Sequence, residues 1–234
     1  KQDTAYSAGD ERKYVDSDFV RFHYGKPERW SGWTNLPNPN KTIVGVVRDT
    51  HSWVGLDGLR YLALGTNRKL YIYNEGAVYD ITPIRETQAL TNPFTTNGTT
   101  TVSVADTGHN AIQGDFVTFD SFSSIDGLDM NQEFEITSIT DANNYTVTHT
   151  STASGSTSGG GGSGNAKYQI NVGPATSTYG LGWGTDTWSS GTWGTASSAS
   201  DVVIVGRNWS LDNFGEDLIA TVLDGGTFIW DSSG

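Results

Sequence analysis

The chain has 234 residues, enough to bury a sizeable core in one large or two small domains. With 29 Gly, eight Trp, one Met and no long run of helix formers, helix propensity is weak nearly everywhere while strand and turn chemistry is strong, so an all-β fold is expected. A net charge of −12 argues against a face that grips phosphates, the lack of cysteine excludes disulfides and thiolate metal sites, and no stretch nears the roughly 18 apolar residues of a membrane span, so no membrane partner is expected.

Residues 1–18 are polar and charged, as in an extended arm ordered only where something covers it. Asp18 to Tyr24 then alternates, with Val20, Phe22 and Tyr24 on one face, and a turn at Gly25-Lys26-Pro27 stops the strand. Trp30, Trp33 and Pro37 fall in a loop, after which Thr42 to Arg48 is a nearly continuous β-branched stretch of the kind buried on both faces. Trp53 to Asn74 runs as Trp, a polar loop with Asp and Gly, an apolar strand, a turn with Gly and an aromatic strand, and Ala77 to Ile81 is one more strand.

From about Asn92 the aromatic cassette gives way to short alternating strands at Thr99–Val104, Asp115–Phe119, Glu133–Ile139 and Tyr145–His149, divided by turns such as Asp126-Gly127 and Asp141–Asn144. The Gly/Ser tract from Ser154 to Asn165 is expected to be a flexible loop; its core, residues 159–163, is similar both to an engineered linker and to natural low-complexity loops. Lys167 to Val172 leads back to the main body. Trp183, Trp188 and Trp193 follow at five-residue intervals, which neither helix nor strand periodicity places on one face, so a glycine-rich loop laying indoles over a surface is expected, received by a strand at Asp201–Gly206.

The last stretch, Trp209 to Asp231, echoes residues 53–74: Trp, a polar loop with Asp and Gly, an apolar strand at Leu218–Leu223, a turn at Asp224-Gly225-Gly226 and an aromatic strand at Thr227–Asp231. A repeated strand-turn-strand cassette is what a β-propeller blade looks like, with a generic antiparallel sandwich as the alternative. The expected organisation is therefore an N-terminal arm and first propeller-like blades in 1–92, an inserted small β-sandwich or barrel in 93–172 ending in the Gly/Ser loop, and further propeller-like blades in 173–234.

The segment Tyr14–Trp33, the run Leu64–Asn74 with Tyr79–Ile84, and the closing Trp209–Leu218 together resemble virion proteins of tailed bacteriophages, nearest the tail nozzle (tubular) and hub proteins that sit below the portal. The insert, through Gly114–Phe119 and Asn131–Thr137, resembles the FCCH domain of ubiquitin-activating enzymes, with no Cys to carry a thioester. The resemblance implies a structural protein of the virion tail, assembled in the host cytoplasm. It would work in a symmetric homo-oligomeric ring with other tail proteins, and DNA would pass through that ring without specific binding. At roughly 40 to 45 residues per blade, the residues outside the insert are too few for a closed ring, so the blades are expected to be an incomplete set. An opening at Lys1 without Met and a stop at Gly234 just past a hairpin are what a processed or partial product would show.

No catalytic constellation can be written. His23, His51, His109 and His149 lie in different expected elements, so no metal ligand set forms, and Asp126, Asp129, Asn131 and Glu133 depart from the EF-hand spacing and read as a solvated turn. Ser52, His51 and Asp49 match a triad in composition only, without a nucleophile elbow. Asp212, Glu216 and Asp217 could pose as the carboxylate pair of a glycosidase, the third-ranked reading, but turns favour such residues for backbone reasons. The expectation is no enzymatic activity, no cofactor and no metal.

Trp183, Trp188 and Trp193 are the candidate interface or glycan-stacking residues. Burying one indole removes on the order of 150 to 250 Å² from water, or about 4 to 6 kcal/mol. That favours packing or a subunit interface over the second-ranked reading, a carbohydrate-binding module of a surface or fibre-type protein. Twelve of the 14 basic residues precede the insert's first strand, with only Lys167 and Arg207 after it, and they are scattered rather than gathered on one wall. A surface facing DNA is therefore expected to be acidic and repellent.

Overall fold

The computed structural model describes residues 20–24, 26–29, 42–56, 58–177, 205–223 and 225–232. The chain divides into two units, Lys1–Pro37 and Asn38–Gly234. All regular elements among the described residues are strands, as the composition dictates. In the first unit, β1 (Val20–His23) pairs antiparallel with β2 (Lys26–Arg29), and Arg21 and His23, on one face of the hairpin, both reach Glu28, at 3.1 and 3.3 Å. The expected arm at 1–18 lies outside the described residues.

The second unit begins with a four-stranded antiparallel meander of β3 (Val47–Val54), β4 (Arg60–Thr66), β5 (Leu70–Asn74) and β6 (Ala77–Asp80) in sequential order. The β5–β6 link is the two-residue turn Glu75-Gly76, both at positive φ, whose twist matches that of the strands it joins. Thr42–Arg48 is not the doubly buried strand that its β-branched run suggested. β3 starts only at Val47, lies at the edge of the sheet, and leaves Val46 and Val47 51 and 40 % exposed. The backbone before it is claimed by side chains instead: Val44 N–H donates to the Tyr71 hydroxyl (3.0 Å) and Val46 N–H to Asn67 Oδ1 (2.8 Å).

The seventh to thirteenth strands build a curled seven-stranded sheet. Its strands are β7 (Ile84–Thr91), β8 (Phe94–Thr95), β9 (Thr101–Ala105), β10 (Phe116–Asp120), β11 (Glu133–Asp141), β12 (Asn144–Thr148) and β13 (Ser163–Gln169), ordered β7-β13-β10-β11-β12-β9-β8. The long β11 is shared, its first residues pairing with β10 and the rest with β12 across register shifts, so it bends the sheet around its core. Strand alternation supplies that core: Val102 and Val104 from β9, Phe134 and Ile136 from β11, and Tyr145 and Val147 from β12 are all buried.

The Gly/Ser tract is not a flexible loop. Gly160 and Phe94 exchange both backbone hydrogen bonds (3.2 and 2.8 Å), Ser123 N–H donates to Gly161 O (2.8 Å) and Asn92 N–H to Gly162 O (2.7 Å). A Cβ at Gly160 would lie 2.6 Å from Ile125 and one at Gly161 2.5 Å from the Phe94 ring. The tract therefore closes the apolar core by backbone contact, in a space where only glycine fits. Low side-chain volume is here the condition for close approach, not a source of chain freedom.

The final sheet is a three-stranded meander of β14 (Trp209–Phe214), β15 (Asp217–Val222) and β16 (Thr227–Trp230). The apolar strand, turn and aromatic strand of the repeat are thus found in both cassettes. The stretch after Trp209, expected as a polar loop, is strand β14, polar on one face only: Trp209 and Leu211 turn inward while Ser210 and Asp212 stay exposed. The strand expected at Asp201–Gly206 falls largely on 201–204, outside the described residues.

The two meanders pack through one cluster in which Trp53, Ala63, Leu70 and Ile72 meet Trp209, Leu218, Ala220 and Val222. Their indoles are exchanged: Trp53 Nε1 donates to Glu216 O in the β14–β15 turn (3.0 Å), and Trp209 Nε1 donates to Thr66 O at the end of β4 (2.7 Å). Gly65 makes the second possible, since a Cβ there would stand 2.6 Å from the Trp209 indole. The result is all-β and blade-like, with none of the described sheets closed.

Two glycine substitutions separate close approach from backbone strain. Gly161→Ala adds overpacking against Phe94 to the strain of φ +99 and is expected to destabilise the chain by roughly 2 to 5 kcal/mol, whereas Gly76→Ala, at φ +88 with open space around it, adds strain alone, about 1 to 2 kcal/mol. Urea unfolding of both variants checks the order; equal losses would show that the tract is not packed.

Candidate functional site

The four residues of the β4–β5 turn, Thr66–Lys69, hold the second unit together. The Thr66 hydroxyl donates to Val44 O (2.8 Å) and accepts from Lys69 N–H (2.8 Å), which tightens the turn and ties it to the segment before β3. Asn67 spans to the segment after β13, its Nδ2 donating to Gly173 O (3.1 Å) while its own carbonyl accepts from Gly173 N–H (2.8 Å). Arg68 Nη2 donates to Gly114 O (2.7 Å) and pairs with Glu135 (2.8 Å). Lys69, 1 % exposed, places its ammonium 2.6 Å from both Asp80 and Glu133 and 4.1 Å from the Phe116 ring centroid.

Burial alone would raise the Asp80 carboxyl pKa, but the hydrogen bonds from Lys69 and Thr82 outweigh it and hold the group below the usual carboxylate range. Tyr71, which accepts from Val44, is pushed up to about 12, chiefly by burial, and so stays neutral. In the core of the curled sheet the Tyr145 hydroxyl meets that of Tyr168 (2.7 Å), which donates to Asp106; burial raises the Asp106 carboxyl despite that bond. This chain of groups is enclosed and structural.

The residues singled out in the sequence are mostly kept apart. Trp183, Trp188 and Trp193 lie outside the described residues. Asp126 accepts from Thr96 and Thr157 and so fastens the Gly/Ser tract, Asn131 bonds to Asp129 and to the Phe122 backbone, and Glu133 takes Lys69 and Gln169. No group of three potential metal ligands converges among the described residues. Ser52 and His51 project to opposite faces of β3, as neighbours on a strand must, so the triad does not form.

His51 is instead brought to β14, with Nε2 2.9 Å from Asn213 Oδ1 and 3.8 Å from Asp212, and its ring stacks on Trp53. That juxtaposition across some 160 residues was invisible in the sequence, and the paired Trp cassettes were the one signal that could have suggested it. Asp217 turns away to cap Ser232 N–H (3.3 Å).

The Trp53–Glu216 bond also sets the β3–β4 loop beside the β14–β15 turn. The apolar side chains flanking it, Val54, Leu56 and Phe214, are 59, 88 and 77 % exposed. Large apolar side chains left in water at such loops are the kind of surface that contact with another molecule covers.

No family model matches the chain, and no curated protein does. Chains of solved structures do match; one is the Phage phi92 endosialidase, 16% identical, over 52% of this chain and 19% of that chain, at a TM-score of 0.33. The match thus spans about a fifth of that protein's length. The likeness is to a phage protein; it does not reach the nozzle, hub or FCCH identities, and at this depth it transfers no activity or substrate. One expectation is corrected by it: the absence of enzymatic activity read from the sequence is set aside, because the solved protein matched is named an endosialidase.

The buried cation gives a pH-dependent test. Lys69→Met leaves Asp80 and Glu133 facing one another without a counter-charge, and the expected loss near neutral pH is about 3 to 5 kcal/mol. Asp80's folded pKa lies below its unfolded value of about 3.9, so its stabilising share is present above that value and is lost as pH falls through the folded one. The gap between wild type and Lys69→Met should therefore narrow as pH drops below about 4. Thermal melts from pH 7 to pH 3 measure it, and a gap independent of pH would place the loss in packing alone.

Proposed function

We propose that this chain is a structural protein of a phage tail, working as one copy in a symmetric ring that forms part of a conduit for DNA below the portal. The observation that carries the reading is the exposure of three large apolar side chains, Val54, Leu56 and Phe214, at the loops that the Trp53–Glu216 bond joins. In water that surface is unfavourable, and contact with a second copy would remove it.

The charge arrangement supports passage of DNA without grip. Among the described basic residues, Arg21, Arg68, Lys69, Arg85 and Lys167 already stand against carboxylates of the same chain. A cation so neutralised releases little counterion on meeting a phosphate, and the net charge of −12 adds repulsion. The resemblance of Tyr14–Trp33, Leu64–Asn74 and Trp209–Leu218 to tail nozzle and hub proteins supports the same assignment, as does the all-β, blade-like body.

Two outcomes are expected. Sedimentation of the purified protein should give a discrete oligomer, and Leu56→Asp combined with Phe214→Asp should return it to monomer with an unchanged far-ultraviolet circular dichroism spectrum; a wild type that stays monomeric up to high concentration sinks the ring. Filter binding to duplex DNA at about 0.1 M salt, where the Debye length is roughly 10 Å, should show no submicromolar affinity. Tight, salt-sensitive retention would instead assign a DNA-anchoring role.

A further inference from the structure

A concave feature elsewhere in the second unit is lined by none of Val54, Leu56 and Phe214. It is a pocket of about 270 Å³ walled by Arg85 of β7, Ile170 and Asn171 after β13, Arg207 before β14, and Val222 and Phe228 flanking the β15–β16 turn. Two of the lining residues are arginines and, among the described residues, no carboxylate lines it, in a chain whose net charge is −12. Such a concentration of positive charge runs against the composition and calls for a cause.

Arg207 is the unusual member. Its stem lies against Gly173, where a Cβ would stand 2.3 Å from the arginine's own Cβ, so the backbone is shaped to receive it. Among the described residues no hydrogen bond or ion pair reaches its guanidinium, and Nη1 is buried without a partner. Burial lowers its pKa, and Asp115 pulls the other way through space. Asp115 is itself committed, accepting from the N–H of Ile112 (2.9 Å) and of Val172 (2.7 Å) and from Asn171 Nδ2 (2.6 Å). A partly desolvated cation without an acceptor is unfavourable unless something outside the chain supplies one.

Arg85 is held as a fixed second wall. Its Nη2 donates to His109 O (2.7 Å), its Nη1 lies 3.4 Å from Glu86, and Cζ sits 5.1 Å from the Tyr168 ring centroid, yet Nε is buried and unpartnered. Beside Asn171 and the Gly225-Gly226 backbone, Ile170, Val222 and Phe228 give the rest of the lining an apolar part. We propose that this pocket binds a small organic carboxylate, the planar anion lying between the Arg85 and Arg207 forks and its apolar or ring body against Phe228, Ile170 and Val222. A carboxylate matches a guanidinium in plane and charge and leaves its body to the apolar wall, which a phosphate ion could not cover. The volume falls just below that of drug-sized sites, which confines the ligand to a small molecule. The site is independent of the tail assignment, since none of Val54, Leu56 and Phe214 lines it.

Benzoate is a suitable probe, titrated against chloride at constant ionic strength. Wild-type protein should melt higher with added benzoate and bind it in calorimetry with a dissociation constant in the millimolar range or below, while inorganic phosphate at equal concentration gives a smaller shift. Arg207→Met, isosteric and neutral, should keep the circular dichroism spectrum, melt no lower than wild type without ligand, and bind benzoate at least tenfold more weakly. A read-out on the wild type alone follows the arginine Nε–Hε resonances, of which those of Arg85 and Arg207 should move on addition of benzoate. Absence of heat and of resonance shifts in the wild type, undiminished binding by Arg207→Met, or a phosphate effect equal to that of benzoate overturns the proposal.

Discussion

The constraint on which the second unit depends is the ammonium of Lys69, enclosed between Asp80 of its own sheet and Glu133 of the curled sheet. Removing such a group from water costs several kcal/mol, and only a complete set of partners offsets it. Each partner fixes a separate element: Asp80 ends β6, Glu133 begins β11, and the Phe116 ring beneath belongs to β10. Apolar contacts alone would let the two sheets slide, because dispersion and area burial have little directional preference. A buried cation with two acceptors at 2.6 Å admits one arrangement. Thr66, Asn67 and Arg68 extend the same logic to the segments at 44–46, 173 and 114, so a single turn sets the position of three chain segments and one sheet.

Tight approach of backbone to ring is the second organising device, and it recurs in different chemistry. At Gly65 the strand lies flat under the Trp209 indole, and at Gly160 and Gly161 the tract lies flat over Ile125 and Phe94. In both places main chain covers one side of a large side chain whose other side packs on neighbouring side chains, so packing density is reached with fewer added apolar residues. This accounts for a cored protein with only 35% hydrophobic residues and 29 glycines. It also explains why the glycines are not interchangeable with serine or alanine, although the composition reads as low complexity.

Much of the fold could be read from period and turn chemistry. The strands at 133–139 and 145–149 alternate cleanly, and Asp126-Gly127 forms the turn its dipeptide announces, both residues at positive φ. Where the reading failed, a tertiary contact had overridden a local signal. Thr42–Arg48 has every strand propensity, but its N–H groups are taken by Tyr71 and Asn67. Ser154–Asn165 has every sign of a loop, but its backbone groups complete the curled sheet. Of the functional candidates, His51 and Asp212 were noticed separately and are joined only by the packing of the two meanders. Arg85 and Arg207, 122 positions apart, carry no local pattern at all.

The two cassettes are alike in sequence yet not superposable in role, and that difference bears on how the body is built. In the first, Trp53 lies near the end of its strand, one residue from the loop; in the second, Trp209 opens its strand, at the far end from the turn. Identical placement would aim both indoles at the same end of the sheet pair and leave the other end without a donor. Opposite placement gives each end one indole: Glu216 O is satisfied at one and Thr66 O at the other. Each bond also buries a large apolar face, and losing either would leave a carbonyl unpaired beside it, a penalty of roughly 1 to 3 kcal/mol beyond the lost burial. The pair of meanders is thus pinned at two points about its shared core. Rotation of one sheet on the other is opposed at both, which is what a blade-like body needs if its exposed end is to meet a neighbour in one orientation.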